Sequence, residues 1–352
     1  MNPGRFRFSR ATALALTAVL VLAAVITVHR LNQVRAEHRR NTQQPTVPQP
    51  VAVDAPATRP ASTQPAPPQT VAADPAIRPA AVALVPPGLA AVEAPRPATQ
   101  VLDEARKLHA AGNLVAARRI LLEAMGGGQL SPADVVSARH LISEINQVVI
   151  FSPRRFVDDP YQAVYQVRTG DRLLRIAPQH DITWQFLCRI NGIADPNKLQ
   201  VGRQLKIIRG PFHAVVTKST YTMDVYLGDP ADRDALFVTS YPVGLGKDES
   251  TPTGKWIVKP GTKLINPTYY SPRGEGVIEA DDPRNPLGER WIGLAGLDGQ
   301  AAGQASYGIH GTIEPQSIGR QESMGCIRLL NADVEVLYDL MVEGKSTVTV
   351  RP

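Results

Sequence analysis

Apolar positions change their spacing along the chain, and each change marks a new segment. Ala11 to Val28 is a run of 18 uncharged residues preceded by Arg5, Arg7 and Arg10. That length is near the lower limit for crossing a bilayer core and longer than the apolar stretch of a typical cleavable leader. The best cleavage candidate, Val34-Arg35-Ala36, is a poor one, so residues 1–40 are expected to form an uncleaved, single-pass membrane anchor. Residues 41–98 lose the pattern and read Pro/Ala/Thr/Gln, with 14 of the 31 prolines between Pro45 and Pro97. Such a stretch cannot bury enough surface to offset its ordering entropy and is expected to be a disordered, semi-rigid spacer. Residues 99–150 return to helical spacing. Val101, Ala105, Leu108 and Ala111 line one face, Gly112-Asn113 breaks it, and Ala117, Ile120 and Leu121 resume it. Ser131-Pro132 then supplies an N-cap and a proline at the first position of a further helix. From Phe212 the period drops to strand length. Residues 213–217, 221–227 and 235–241 alternate or run apolar, a helix is expected over 332–341 with Asn331 as its cap, and 346–350 closes the chain as a strand.

Charge changes the picture once. The net +6 suggests nucleic acid, but residues 1–40 hold seven arginines against Glu37, which leaves 31 basic and 31 acidic side chains in residues 41–352. A surface that tracks phosphates needs a local excess, and there is none; no nucleic-acid partner is expected. The arginines belong to the anchor. No His/Cys/Asp cluster has metal-ligand spacing, so neither a metal nor a cofactor is expected. Gly244-Leu-Gly-Lys lacks the leading glycine of a phosphate loop. Asp281-Asp282 reads as a turn rather than a paired-carboxylate site, because adjacent strand residues point to opposite faces.

Between the helices and the strand-rich segment lies a compact unit. Tyr165-Gln-Val-Arg-Thr-Gly-Asp, two short helical stretches and Leu199-Gln-Val-Gly-Arg-Gln-Leu-Lys-Ile predict a strand, a turn, two helices and a closing strand. This β-α-α-β unit, taken as 161–210, closely resembles a LysM domain. The resemblance implies binding to N-acetylglucosamine-containing glycan of peptidoglycan through the loops that hold Gly170, Asp171, Asn191 and Gly192. The helical segment 99–150 resembles a tetratricopeptide-type hairpin, with about one repeat where an independent solenoid needs roughly three. A packing spacer is therefore expected.

The chain has two cysteines. Cys188 sits in an apolar helical run and reads as a small buried thiol. Cys326 lies in Ser323-Met-Gly-Cys-Ile-Arg-Leu, and His310 in Tyr307-Gly-Ile-His-Gly-Thr. A nucleophilic cysteine needs a base for its proton and donors for the oxyanion formed on the attacked carbonyl. His310 is the only histidine after His213, and Gly325 permits a tight turn before the sulfur. If residues 326–330 are extended, Cys326 and Arg328 share a face while Ile327 and Leu329 point inward. A Cys and a His alone would fit a buried structural thiol equally well. The two stretches together, however, resemble the signature of the L,D-transpeptidase catalytic domain over 212–352, along with Thr251-Pro-Thr-Gly254, Asp282 to Gly288 and Ile292-Gly-Leu.

The resemblance implies a multidomain, mainly β protein in which Cys326 is nucleophile, His310 base and the Gly311 carbonyl the orienter of the imidazole. Tyr307, Ser323, Gly325 and Arg328 would line the substrate site, with residues 313–321 in a substrate-facing loop. It further implies attack on the third-residue carbonyl of a tetrapeptide stem, release of D-alanine, and transfer of the acyl group to an amine. Water as acceptor would make the protein an L,D-carboxypeptidase. A wall-binding anchor without catalysis is the reading from another class, and the retained Cys/His pair counts against it. The substrate would place the bulk of the chain outside the cytoplasmic membrane, in the periplasm or its equivalent.

Overall fold

The computed structural model describes residues 98–352 apart from 233, 272, 273 and 275. The expected anchor and all of the expected spacer but Ala98 lie outside the described residues. Three helices come first: α1 (Ala98–Ala110), α2 (Leu114–Gly126) and α3 (Pro132–Val149). Ser131 caps α3 as its sequence position predicts, its hydroxyl accepting from the Asp134 N–H at 3.2 Å. Strand β1 (Gln162–Gln166), helices α4 (Leu173–Ile176) and α5 (Trp184–Arg189), and strand β2 (Gln204–Ile208) make the expected β-α-α-β unit, with β1 antiparallel to β2.

The rest is strand-rich: β3 (Phe212–Thr217), β4 (Thr222–Leu227), β5 (Leu236–Pro242), β6 (Leu245–Gly246), β7 (Gly254–Ile265), β8 (Tyr269–Tyr270), β9 (Val277–Ile278), β10 (Arg290–Gly296), β11 (Tyr307–His310), β12 (Gln321–Ser323), β13 (Ile327–Arg328), helix α6 (Asn331–Leu340) and β14 (Thr347–Arg351). Eight of these form one mixed sheet in the order β13-β11-β10-β7-β14-β3-β4-β5. The pairs β11/β13 and β14/β3 are parallel. Asp281 and Asp282 fall in a turn after β9, as read from the sequence.

Two apolar clusters hold these pieces. The larger runs continuously from the β-α-α-β unit into the sheet: Phe186 of α5 meets Phe212 of β3 edge-on at 5.1 Å between ring centroids, and both are fully buried. Burying each phenylalanine contributes about 1.5–3 kcal/mol, so the two units stabilise each other through this contact. The smaller cluster joins the three helices to Phe237 of β5. Strand β5 is the sheet's edge, and its register slips where Val225 pairs with Thr239 but Tyr226 pairs with Phe237, leaving Val238 bulged. Asn146 of α3 donates its amide to the carbonyls of Val238 at 2.9 Å and Phe237 at 3.3 Å. A helix thus covers an edge that would otherwise offer unpaired carbonyls. The buried Arg118 spans from Asn146 to Asp159, and the Lys206 ammonium donates to the carbonyls of Val149, Ile150, Ser152 and Arg154 at 2.6–3.1 Å. These bonds fasten the end of α3 to β2. The helical segment packs against its neighbours on both sides.

The expected cap of the last helix is corrected. Helix α6 begins at Asn331 itself, with Leu330 at the cap position and no side-chain cap bond. The Asn331 carboxamide oxygen instead accepts from the Thr312 N–H at 3.0 Å. That amide lies just beyond the end of β11, and the Asn331 side chain satisfies it.

Candidate active site

Strands β11 and β13 run parallel, with Ile309 opposite Ile327 and His310 opposite Arg328. Ile309, Ile327 and Leu329 are buried in the core, so alternation turns Gly308, His310, Cys326 and Arg328 to the other face. There His310, Cys326 and Arg328 line a cleft of about 680 Å³, together with Trp291, Tyr307 and Ser323. The sequence-predicted residues of the strand-rich segment converge on this one place. Gly311 sits just behind it, and its carbonyl receives the His310 ring.

His310 is 5% exposed. Its Nδ1 lies 2.6 Å from the Gly311 carbonyl oxygen, which can only accept, so Nδ1 carries the proton and Nε2 presents its lone pair. One face of the ring stacks on Trp291, its register partner on β10, at 5.8 Å and 18°. The indole also passes over Gly308, where a Cβ would come within 2.5 Å of it. Glycine at 308 is therefore a spatial requirement of the Trp291 stack. Burial pushes the His310 pKa down to about 4; the bond to Gly311 opposes the shift and the Arg328 charge adds to it. Burial raises the Cys326 thiol above its usual range, against the Gly308 N–H and the Arg328 charge, which both favour thiolate. The residue still keeps a partly exposed surface at the cleft. At neutral pH the resting pair is a thiol beside a neutral imidazole.

The turn before Cys326 is clamped from three sides. Ser323 Oγ donates to the Cys326 carbonyl at 2.6 Å and accepts from the Gly325 N–H at 3.2 Å. Gly325 has φ +118°, in the region open to glycine, and a Cβ there would lie 2.6 Å from the Tyr307 ring. Thr251 Oγ1 donates to the Gly325 carbonyl at 3.0 Å and accepts from the Gly246 N–H at 2.8 Å. Arg328 exchanges main-chain bonds with Gly244, and its Nη1 sits 2.9 Å from Glu314 Oε2.

Thr251 and Trp291 are participants that sequence reasoning left without a role, whereas Asn331 was given a different one, as a helix cap, and Glu314 was placed only within the expected substrate-facing loop. Thr251 stands in the quoted Thr-Pro-Thr-Gly and Trp291 directly precedes Ile292-Gly-Leu, so both had a signal. The particular contacts of Glu314 with Arg328 and of Asn331 with Thr312 had no signal, because they are set by tertiary placement. The loop 313–321 reaches an adjoining polar cavity through Glu314 and Gln321.

The residues proposed for glycan lie in the β-α-α-β unit, away from this cleft. Gly170 has φ +84° in the turn after β1, and Asp171 Oδ2 accepts there from the Arg168 N–H at 2.7 Å and the Tyr165 hydroxyl at 2.8 Å. Those bonds hold the Asp171 carboxyl below the usual carboxylate range. Asn191 spends its amide on the Leu187 and Lys206 carbonyls and the Lys206 N–H, and Gly192 follows it at φ +59°. Asp171 and Asn191 thus shape the two loops. Cys188 is half-buried, with its thiol pushed up to about 11 by burial and then by Asp339. It forms no disulfide with Cys326.

Comparison with known proteins places these features in company. A family model described as the L,D-transpeptidase catalytic domain matches residues 211–350, and a LysM domain model matches residues 165–207. The protein named "Putative L,D-transpeptidase YkuD" of Bacillus licheniformis is 31% identical over 197 residues, 54% of this chain and 99% of that one. "Putative L,D-transpeptidase YqjB" of Bacillus subtilis is 37% identical over 138 residues, 38% of this chain and 69% of that one. Among solved structures, an L,D-transpeptidase from Mycobacterium smegmatis shares 17% identity over 44% of this chain and 65% of its own, with a TM-score of 0.28.

Proposed function

The chain belongs to the L,D-transpeptidase family, with a LysM domain ahead of its catalytic domain, and from that premise we propose that Cys326 is the nucleophile and His310 its base. The observation that carries the proposal is the shared face of two parallel strands. It sets the sulfur and the imidazole in one cleft, with the imidazole tautomer fixed by Gly311.

The reaction follows from the resting state. A neutral imidazole accepts the Sγ proton at Nε2 as the sulfur attacks the third-residue carbonyl of a tetrapeptide stem. The C–S bond forms and the carbonyl π pair moves to oxygen. The Cys326 main-chain N–H, in the same residue as the sulfur, is the donor best placed for that oxyanion. Collapse breaks the C–N bond to the terminal D-alanine, whose amine leaves with the proton held by His310, and a thioester remains. An amine of a second stem then attacks, returns a proton to His310 on the way, and releases the Cys326 thiol with a new amide formed.

Arg328 supports the developing thiolate and offers a guanidinium to a substrate carboxylate. The LysM domain holds the enzyme to peptidoglycan glycan, with the Gly170–Asp171 and Asn191–Gly192 loops as its contact. We place the domains outside the cytoplasmic membrane, tethered by Ala11 to Val28. Mass spectrometry of peptidoglycan stem peptides incubated with the protein tests the reading. Cross-linked dimers with loss of D-alanine support it, and hydrolysed tripeptides alone would make water the acceptor. Turnover by Cys326→Ala would overturn it.

A further inference from the structure

The Arg328 guanidinium serves two cavities and has one ionic partner among the described residues. Its side chain is 14% exposed, whereas that of Glu314, which holds its Nη1 at 2.9 Å, is 52% exposed. Arg328 is therefore sunk in the wall while Glu314 reaches to it from the rim. The Glu314 backbone is fixed: its N–H donates to Thr312 Oγ1 at 3.0 Å and its carbonyl accepts from Ser317 Oγ at 2.7 Å. The carboxylate itself is half-exposed and is held by Arg328 alone among the described residues. Arg328 Nε is buried with no acceptor, so Glu314 leaves part of the guanidinium unsatisfied. Arg328 lines the catalytic cleft and also a second cavity of about 650 Å³, where Lys247, Glu322, Tyr269 and Met324 lie beside it.

Resting on the reading of Cys326 and Arg328 given above, we propose that Glu314 is a positioning residue that occupies Arg328 until a substrate carboxylate displaces it. The guanidinium is the reacting site's own cation, since its charge acts on both Cys326 and His310. Left bare, it would turn to solvent or to Glu322; paired with Glu314, it stays aimed along the wall. A half-exposed ion pair is weak, so a carboxylate arriving with the substrate's other contacts can replace Glu314. Ligands that bring no carboxylate leave the pair closed. Arg328 therefore selects for stems whose terminal residue carries a free carboxylate, and Glu314 lowers their affinity by the cost of its own displacement.

The test is binding, so that turnover is not needed. In the full chain carrying Cys326→Ala, Kd is measured for a stem tetrapeptide and for the same peptide with its terminal carboxylate amidated. Glu314→Gln keeps an oxygen acceptor for Arg328 and removes the competing charge. It should tighten the acid peptide about two- to fivefold and leave the amide unchanged. In an Arg328→Ala background the same substitution should do nothing to either. A second readout uses Cys326 in the otherwise native chain. With Glu314 made neutral, the Arg328 charge acts on the thiol unopposed, so the alkylation-versus-pH midpoint of the Cys326 peptide should move to lower pH while His310, Lys247, Glu322, Tyr269 and Tyr307 around it are untouched. Equal effects on acid and amide, or an effect that persists without Arg328, would overturn the proposal. Turnover by Cys326→Ala would instead overturn the nucleophile assignment and leave the Kd comparison standing.

Discussion

Thr251 gives the sharpest test of how the nucleophile is held. It is 2% exposed, and its single hydroxyl joins two main-chain groups, the Gly246 N–H and the Gly325 carbonyl. Valine has the same shape and neither function. Thr251→Val therefore leaves a buried donor and a buried acceptor without partners, at about 1–3 kcal/mol each, or about 2–6 kcal/mol together. For a domain of this size that corresponds to a fall in Tm of roughly 4–24 °C. The catalytic effect is separate, because the released carbonyl belongs to the residue before Cys326. A displacement of that turn by about 1 Å would cost on the order of 10²-fold in turnover. Thermal unfolding of the full chain and D-alanine release at a temperature well below both transitions measure the two effects. Thr251→Ser restores the hydroxyl and should recover most of each. A valine variant with wild-type Tm and turnover would show that the clamp holds nothing.

Cys326→Ala should abolish turnover and thiol labelling at that peptide, while Cys188→Ala keeps activity; the loss of activity with Cys188 instead would reject the assignment. His310→Ala should reduce turnover by about two to four decades, the usual size of a general base, and a smaller loss would point to another base. His310 also predicts a pH effect on stability. Its folded pKa is near 4 and its unfolded value near 6.5, so between these the unfolded chain binds more protons, and stability is lost as pH falls from about 6.5 to 4. His310→Asn should flatten that window by up to one proton in a denaturation series, and an unchanged slope would refute the burial argument. Lys206→Met removes the donor to four carbonyls at the end of α3. It should raise amide exchange across α3 and β2 together, and exchange confined to β2 would deny the coupling.

The sequence carried the parts of the site that depend on local chemistry. Cys326, Arg328 and His310 were legible because a thiolate, its cation and its base must have those side chains, and alternation along 326–329 followed from the buried Ile327 and Leu329. The glycines were legible as turns. Their neighbours were not: Gly308 answers to an indole from β10 and Gly325 to a ring from β11. Asn331 illustrates the limit. Locally it is a good cap, and a purely local reading assigns it to its own helix. An orphan N–H at Thr312, brought near by the β11–β13 pairing, outcompetes that role. The strand ends behaved similarly, the last strand running Thr347–Arg351 where spacing suggested 346–350.

The continuous core bears on how the LysM domain can be studied and used. Read from sequence, residues 161–210 look excisable. In the fold, Phe186 and Phe212 share a buried contact, Arg189 pairs with Asp339, and Lys345 pairs with Asp181. Cutting after Gly210 would expose the apolar face of α5 and leave Arg189 and Asp181 of the segment without their partners. A failure of the isolated segment to bind peptidoglycan would then report unfolding rather than lack of affinity. The informative experiment keeps the chain whole and changes an exposed position in the loops. Leu174 and Val201, each about 60% exposed beside those loops, are suitable because neither supports the core. If the LysM loops hold glycan, Leu174→Asp or Val201→Asp should weaken sedimentation with insoluble peptidoglycan while Tm and turnover of a small soluble stem peptide stay at wild-type values. Retention equal to wild type in both would move the glycan contact to a different surface.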